Sequence, residues 1–180
     1  MELTTARLSI RPPRRGDGTR MAEYYVRNRA FLQPWYPRFR PEDVDPHAWE
    51  RAMPLIEAER RDGKALRMAL FDGTGEVAGV ANLTAISASP GFRATLGYSL
   101  AERCQGQGLM QEALKAILPA AVDRYRLHRV EAAYLPRNER SGRLLESLGF
   151  KKEGLAPDYL LIDGRWEDHV LTAWRNEEWR

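Results

Sequence analysis

The sequence predicts one mixed domain of the α/β (α+β) class, a mostly antiparallel sheet with helices on its faces. Three observations carry this. Apolar alternation and helical periodicity succeed one another in the order β-α-α-β-β-β-α-β-α-β-β. Hairpin signals join neighbouring strands at 73–75 and at Asp163-Gly164, where a parallel sheet would need crossover helices. A chain of 180 residues, 43% of them hydrophobic, is long enough to bury one core without disulfide or metal staples.

The elements follow in order. "RLSIRPPR" (7–14) opens as a strand and ends at a proline pair. After Asp17 a helix brings Met21, Tyr24, Tyr25 and Asn28 onto neighbouring turns. The stretch 31–46, "FLQPWYPRFRPEDVDP", holds four prolines and four aromatics, too many breakers for a regular element and too many rings for an idle linker. It is expected as an irregular loop with something to bury. "HAWERAMPLIEAERRDG" (47–63) reads as a second helix stopped by Gly63, with Pro54 implying a kink or break. "ALRMALFD" and "EVAGVANLTAIS" flank the "GTG" turn as a hairpin, and "FRATLGYSL" (92–100) adds a strand. From Gly108 to about Tyr125 the helical period returns, with Leu109, Ala113, Ala116, Ile117 and Ala120 as its apolar stripe and Pro119 as a bend. "HRVEAAYL" is a strand, "NERSGRLLESLG" a short helix ended by Gly149, and 158–174 a hairpin turning at Asp163-Gly164.

Composition excludes several functions. Lys plus Arg number 28 and Asp plus Glu 25, a net charge of +3. That suits an anionic cofactor but lacks the dense basic and aromatic runs of a dedicated nucleic-acid binder. Cys104 is the single cysteine, so no intrachain disulfide or cysteine-rich metal site exists, and His47, His128 and His169 lack the spacing of a helical metal pair. No metal is expected. Without a signal-peptide core or a run of about 20 apolar residues, no membrane association is expected and the protein reads as cytoplasmic.

The chemistry concentrates in "LGYSLAERCQGQGLMQEAL" (96–114), where two glycines join a strand to a helix. Such glycines let backbone N–H groups approach an anion, and the helix start adds unpaired N–H groups and a positive dipole end. A P-loop would need Lys-Ser/Thr after Gly108, where "LMQEAL" stands. A dinucleotide fingerprint would need a third glycine at Gln111. Neither fits. The pattern Gln-x-x-Gly-x-Gly/Ala does, as Gln105-x-x-Gly108-x-Met110, and here the chain resembles the GNAT acetyltransferases, whose loop wraps the pyrophosphate of acetyl-coenzyme A.

The segment "LHRVEAAYLPRNERSGRLLESLGFKKEG" (127–154) sharpens the resemblance to the RimJ/RimL type of ribosomal-protein alanine N-acetyltransferase. Its marks are Asn138, Ser141, Leu148, Gly149, Phe150, Glu153 and Gly154. "FLQPWYP" (31–37) and "DYLLIDGRWEDHVLTA" (158–173) look closest to the RimJ branch. The resemblance implies a GNAT-like sheet with a splayed pair of central strands, ending at Leu100 and beginning near His128, into which acetyl-coenzyme A enters. It implies that Tyr98, Ser99 and Leu100 offer backbone groups to the pantetheine, and that Gln105, Gly106, Gln107, Gly108, Leu109 and Met110 hold the pyrophosphate. Met110 departs from the usual small residue, tolerable if its side chain turns into the core.

Asn138 has two roles open to it, an N-cap for the following helix and a hydrogen bond to the pantetheine, and Ser141 shares its helix face. By resemblance Ser141 is the proton donor to the departing thiolate, with Tyr134 and Tyr159 as substitutes. Cys104 as a nucleophile is disfavoured, since no His or Asp stands at a suggestive spacing. Some relatives carry a glutamate base where Leu160 stands here; Asp158 lies nearby, as a base or as a solvated hairpin residue. Trp35 and Tyr159 are expected to wall an acceptor pocket, Trp35 alternatively anchoring its loop. The expected partners are acetyl-coenzyme A and a protein N-terminus, such as that of a ribosomal protein, with ribosome association possible and the chain a monomer or homodimer. Two other readings stay open: an acetyltransferase for a small amine such as a polyamine or aminoglycoside, and a ribosome- or RNA-associated assembly module with vestigial coenzyme A binding.

Overall fold

The computed structural model describes residues 1–179. Eight strands form one sheet: β1 (Leu3–Thr4), β2 (Ser9–Arg11), β3 (Leu66–Phe71), β4 (Val77–Ser87), β5 (Arg93–Leu100), β6 (Arg129–Tyr134), β7 (Lys151–Ile162) and β8 (Arg165–Arg175). They lie side by side as β1-β2-β3-β4-β5-β6-β8-β7. Helices α1 (Gly18–Leu32), α2 (Pro46–Arg61), α3 (Leu109–Tyr125) and α4 (Glu139–Ser147) cover the sheet. The two hairpin turns form as expected, and Asp163 and Gly164 both adopt positive φ, +46° and +81°.

Every strand pair is antiparallel except β5 with β6. Those two are parallel only over Arg93↔Arg129, Ala94↔Val130 and Thr95↔Glu131, and then part. This is the expected splay. From Leu96 to Leu100, β5 keeps its β4 partners on one edge, and its other edge has no strand beside it.

Both sheet faces are covered, since five successive β4 residues, Val77 to Ala81, are all buried. Successive strand residues point to opposite faces, and β5 shows what lies on each. Ser99 meets the Tyr24 hydroxyl of α1 at 2.9 Å, whereas Tyr98 reaches the Ser141 hydroxyl of α4 at 2.8 Å. Gln111 of α3 bonds Ser147 of α4 at 2.8 Å, so α3 and α4 lie together, opposite α1.

The proline-rich stretch between α1 and α2 contains two single 3-10 turns, at Gln33–Trp35 and Pro41–Val44, and its rings are half-buried, with Phe31, Tyr36 and Phe39 packed against the core. Tyr36 stacks on Phe39 at 5.5 Å, Tyr25 of α1 stacks on Trp49 of α2 at 5.7 Å, and Tyr25 touches the first pair at 6.3 and 6.0 Å.

Four local features differ from the sequence expectation. The short strand β1 precedes the expected first one, and β7 begins at Lys151 rather than near Asp158. Neither Pro54 nor Pro119 breaks its helix. Both prolines are exposed, so the carbonyl four residues earlier faces water rather than the core. The buried stripe of α3 is Leu109, Met110, Ala113, Leu114, Ile117, Leu118 and Ala121; Ala116 and Ala120 lie at its margin.

One buried ion pair fixes α1 to the sheet edge. Arg11 of β2 grips Asp17 through two bonds of 2.5 and 2.9 Å, with its guanidinium 4.2 Å from the centre of the Phe71 ring. Burial pushes the Asp17 carboxyl up, but the hydrogen bonds from Arg11 and from the Arg14 N–H, with the charges of Arg11 and Arg20, outweigh it and leave the group below its ordinary value. A lowered carboxylate pKa stabilises the fold above the unfolded value, about 3.9, and that stability is lost as pH falls through the folded value. Asp17→Asn should therefore cost about 3–5 kcal/mol near neutrality, because it strands a buried guanidinium. In melting curves the gap to wild type should narrow as pH drops below about 4; a constant gap would show that the pair is not ionised in the fold.

Candidate functional site

The glycine loop is built to present backbone. Gly106 and Gly108 both have φ +74°, a left-handed conformation that disfavours any side chain, and Gly108 is the N-cap of α3. The backbone N–H groups of Gly106, Gln107, Gly108, Leu109 and Met110 have no protein hydrogen-bond partner among the described residues. Together with the α3 dipole they form a donor nest for an anion.

The side chains of this loop turn inward to hold it. Gln105 donates to the Leu100 carbonyl at 2.9 Å and accepts from Arg140 at 2.9 Å, and Gln107 donates to the Arg103 carbonyl at 3.0 Å. Met110 and Leu109 are buried in the core, at 5% and 6% exposure, so the residue that departs from the family pattern leaves the loop surface clear. The loop is braced from three sides. Asn28 of α1 accepts the Glu102 N–H at 2.9 Å, Arg103 bridges Asp72 and Glu76 at 2.7 and 3.0 Å, and Arg7 donates to the Gln107 carbonyl at 2.9 Å while pairing with Glu112. Arg7 and Arg140 thus place two guanidinium groups beside the nest, where they suit a diphosphate.

Beyond the loop, the splayed strands lead to α4. Asn138 caps this helix, its Oδ1 accepting the Ser141 N–H at 3.2 Å. The cap sets Ser141 on the first turn, where its hydroxyl meets Tyr98 Oη at 2.8 Å. Burial pushes the Tyr98 phenol up to about 12, with the Ser141 bond pulling the other way, so the phenol keeps its proton at neutral pH. Tyr134 is buried under Gly142, where an added Cβ would lie 2.9 Å from the tyrosine ring. Close helix-to-strand contact requires that glycine.

The chain belongs to the acetyltransferase (GNAT) domain family. Residues 7–151 match that family. The chain is 43% identical, over 99% of its length and 93% of the other's, to the [Ribosomal protein uS5]-alanine N-acetyltransferase of Escherichia coli strain K12. The crystal structure of ribosomal-protein-S5-alanine acetyltransferase from Vibrio fischeri, 32% identical, superposes with a TM-score of 0.96, covering 100% of this chain and 99% of that one. Mycobacterium smegmatis RimJ in complex with CoA-disulfide is 29% identical with a TM-score of 0.87, covering 95% of this chain and 83% of that one.

In this acetyltransferase the expected donor residues gather, from Tyr98 through Met110 to Asn138 and Ser141. The Ser99 side chain faces away, toward α1. The expected acceptor residues lie on the α1 side. Trp35 sits under the Arg137 guanidinium at 5.7 Å, and Arg137 also bonds the Pro34 carbonyl at 3.2 Å and Glu167 of β8 at 2.8 Å. Tyr159 stands 5.6 Å from the His169 ring. Asp158 is exposed, at a register break in β7 between Ala156 and Leu160, with φ +46° and its N–H donated to Asp168 at 3.0 Å. Leu160 is also exposed. Cys104 is buried, and burial pushes its thiol up despite the pull of Arg103, which leaves it a poor nucleophile. Among the described residues no cluster of His, Cys, Asp and Glu could hold a metal, and no helix is long and apolar enough to cross a membrane.

Sequence reading missed Arg7 and Arg140 at the loop, the Tyr98 hydroxyl as partner of Ser141, and Arg137 as a brace. Only Tyr98 had a sequence signal, since alternation along β5 sends its side chain and that of Ser99 to opposite faces.

Gly108→Glu should abolish the rise in melting temperature that acetyl-coenzyme A gives the wild type, because the carboxylate occupies the nest. The strain of a left-handed non-glycine residue should lower the unliganded stability by only about 1–2 kcal/mol. Equal ligand-induced shifts in calorimetry would remove the pyrophosphate from this loop.

Proposed function

We propose that the chain transfers the acetyl group of acetyl-coenzyme A to the α-amine of a protein N-terminus beginning with alanine, with ribosomal protein uS5 as the first candidate. The observation that carries the reading is the split between β5 and β6, with a donor nest at one end and the Ser141–Tyr98 hydroxyl pair beside it. The identity to a uS5-alanine N-acetyltransferase over nearly the whole chain supports the choice of acceptor.

The pyrophosphate binds the N–H groups of residues 106–110, flanked by Arg7 and Arg140, and the pantetheine lies along the free edge of β5 from Tyr98 to Leu100. The acceptor enters from the α1 side, past Trp35 and Tyr159. Its nitrogen attacks the thioester carbonyl within a ternary complex, where positioning supplies much of the rate. Ser141 Oγ gives its proton to the departing sulfur, and the Tyr98 phenol, protonated at neutral pH, replenishes it. Asn138 acts by holding the first turn of α4 in place.

The acceptor class follows from proton chemistry as well. An α-amine has a pKa of about 7.7–8.0 and is appreciably neutral at pH 7, whereas a lysine amine near 10.4 is not. A site with no buried carboxylate against the acceptor favours the former.

Ser141→Ala should lower kcat by about 10²-fold and leave the KM for acetyl-coenzyme A nearly unchanged, because leaving-group protonation matters in the transition state. A rise in KM alone, in steady-state assays, would make Ser141 a binding residue only.

A panel of acceptors tests the amine. Peptides with free N-terminal alanine should be turned over at least about tenfold better, in kcat/KM, than the same peptides N-terminally blocked but containing lysine, or than polyamines and aminoglycosides. Equal turnover of the blocked peptides would overturn the N-terminal assignment and leave the acetyl transfer standing.

A further inference from the structure

We propose that His169, through its Nε2 atom, is the general base that takes the proton from the attacking amine. The inference rests on the acetyltransfer reading above and adds the residue that reading lacks. Three observations carry it.

The first is the tautomer. His169 is buried, at 3% exposure, with Nδ1 2.9 Å from the Glu167 carbonyl oxygen. A carbonyl oxygen only accepts, so Nδ1 carries the hydrogen and Nε2 of the neutral ring bears the lone pair. Among the described residues Nε2 has no protein hydrogen-bond partner, and it is not one of the polar atoms sealed from solvent. The ring is oriented and its basic nitrogen is unspent.

The second is the sheet face. Tyr134 of β6 lies against α4 and pairs with Val170 of β8. His169, the next residue along β8, therefore points to the other face, the one shared with Glu167. Ser141 and Tyr98 are on the α4 face. Proton donor and proton acceptor thus stand on opposite faces of the sheet, which separates the departing sulfur from the arriving amine.

The third is the surroundings. Tyr159 flanks the imidazole at 5.6 Å, and Trp35 is tied to the same wall through Arg137 and Glu167. The charged groups here are committed or displaced: Glu167 is paired with Arg137, Asp158 is exposed at the β7 register break, and Asp168 accepts the Asp158 N–H from the other face of β8. No carboxylate competes for the role.

The step balances. The nitrogen lone pair forms the C–N bond and the N–H proton passes to His169 Nε2, directly or through one water. The C–S electron pair leaves with sulfur, which takes the proton of Ser141 Oγ. Solvent then carries the imidazolium proton back to the Ser141–Tyr98 pair.

His169→Asn tests this, since an asparagine amide can keep the bond to the Glu167 carbonyl but has no basic nitrogen. With a free N-terminal alanine peptide, kcat should fall about 10²-fold or more, while the thermal shift given by acetyl-coenzyme A stays as in wild type. His169→Ala should fall likewise and recover with added imidazole, which no purely structural role would produce. The proposal is overturned if His169→Asn keeps kcat within about threefold of wild type. It is also overturned if lost activity comes with a lost acetyl-coenzyme A shift and imidazole restores nothing. A wild type that does not acetylate the peptide would instead sink the acceptor assignment, and this inference with it.

Discussion

The parting of β5 from β6 is the constraint on which the rest of the molecule depends. Three parallel residue pairs hold the strands together at one end, enough to keep a single sheet. Past Thr95 each strand has a partner on its outer edge only. An inner edge of unpaired backbone is costly if dry, so the gap must hold water or an extended ligand with donors and acceptors of its own, as a pantetheine arm has. The flanking structure keeps the gap open. α3 starts from a glycine N-cap at the end of β5, α4 is seated on Tyr134 through Gly142, and the Tyr98–Ser141 bond links the two sides.

The same parting divides the work between two faces. On the α3 and α4 face lie the donor nest, the two guanidinium groups and the hydroxyl pair. On the α1 face the proline-rich loop leans on the β7–β8 hairpin, through the Asp163 N–H to the Tyr36 carbonyl at 3.0 Å and through Arg137. The aromatic cluster of Tyr25, Tyr36, Phe39 and Trp49 gives this loop a rigid base, Trp35 is held under Arg137, and Tyr159 stands against the His169 ring. Preorganisation of both faces matters because two substrates must meet in one geometry.

α1, α3 and β5 were legible because burial on one side imposes a period that sequence displays, β3 and β4 as short apolar runs buried on both faces, and the final hairpin by its Asp163-Gly164 turn. The start of β7 was not legible, since "KKEGLAP" carries no alternation and owes its strand conformation to pairing with β8. Much of the family signature at 148–154 turns out to be structural. Gly149 adopts φ +87° just past α4, Phe150 is 3% exposed, and Glu153 is paired with Arg129 of β6. Within the candidate site, the left-handed turn at Gly106 and Gly108 and the N-cap at Asn138 were legible because such features are local. Arg7 lies 105 positions from its partner Glu112, and Arg137 lies 103 from Pro34; nothing in local sequence encodes such pairings. His169 was passed over for a different reason, since its contacts with Glu167 and Tyr159 are local but match no motif. Read as a lone histidine it signals nothing, and only its tautomer and sheet face give it meaning.

The geometry also bears on whether an acetyl-enzyme is needed. A covalent intermediate helps when one site must handle attack and departure in turn. In the proposed arrangement the attacking amine and the departing sulfur approach one carbonyl from different faces of the sheet, each near its own proton carrier, so both can be present at once. The nucleophile that a covalent route would use is poorly placed for it. Cys104 is buried on the α3 approach, its thiol is pushed up by burial, and it lies in the segment that anchors the glycine loop rather than at the hydroxyl pair. In that arrangement direct transfer follows from the split sheet: once two strands part and donor and acceptor take different faces, the shortest path for the acetyl group runs through the gap between them.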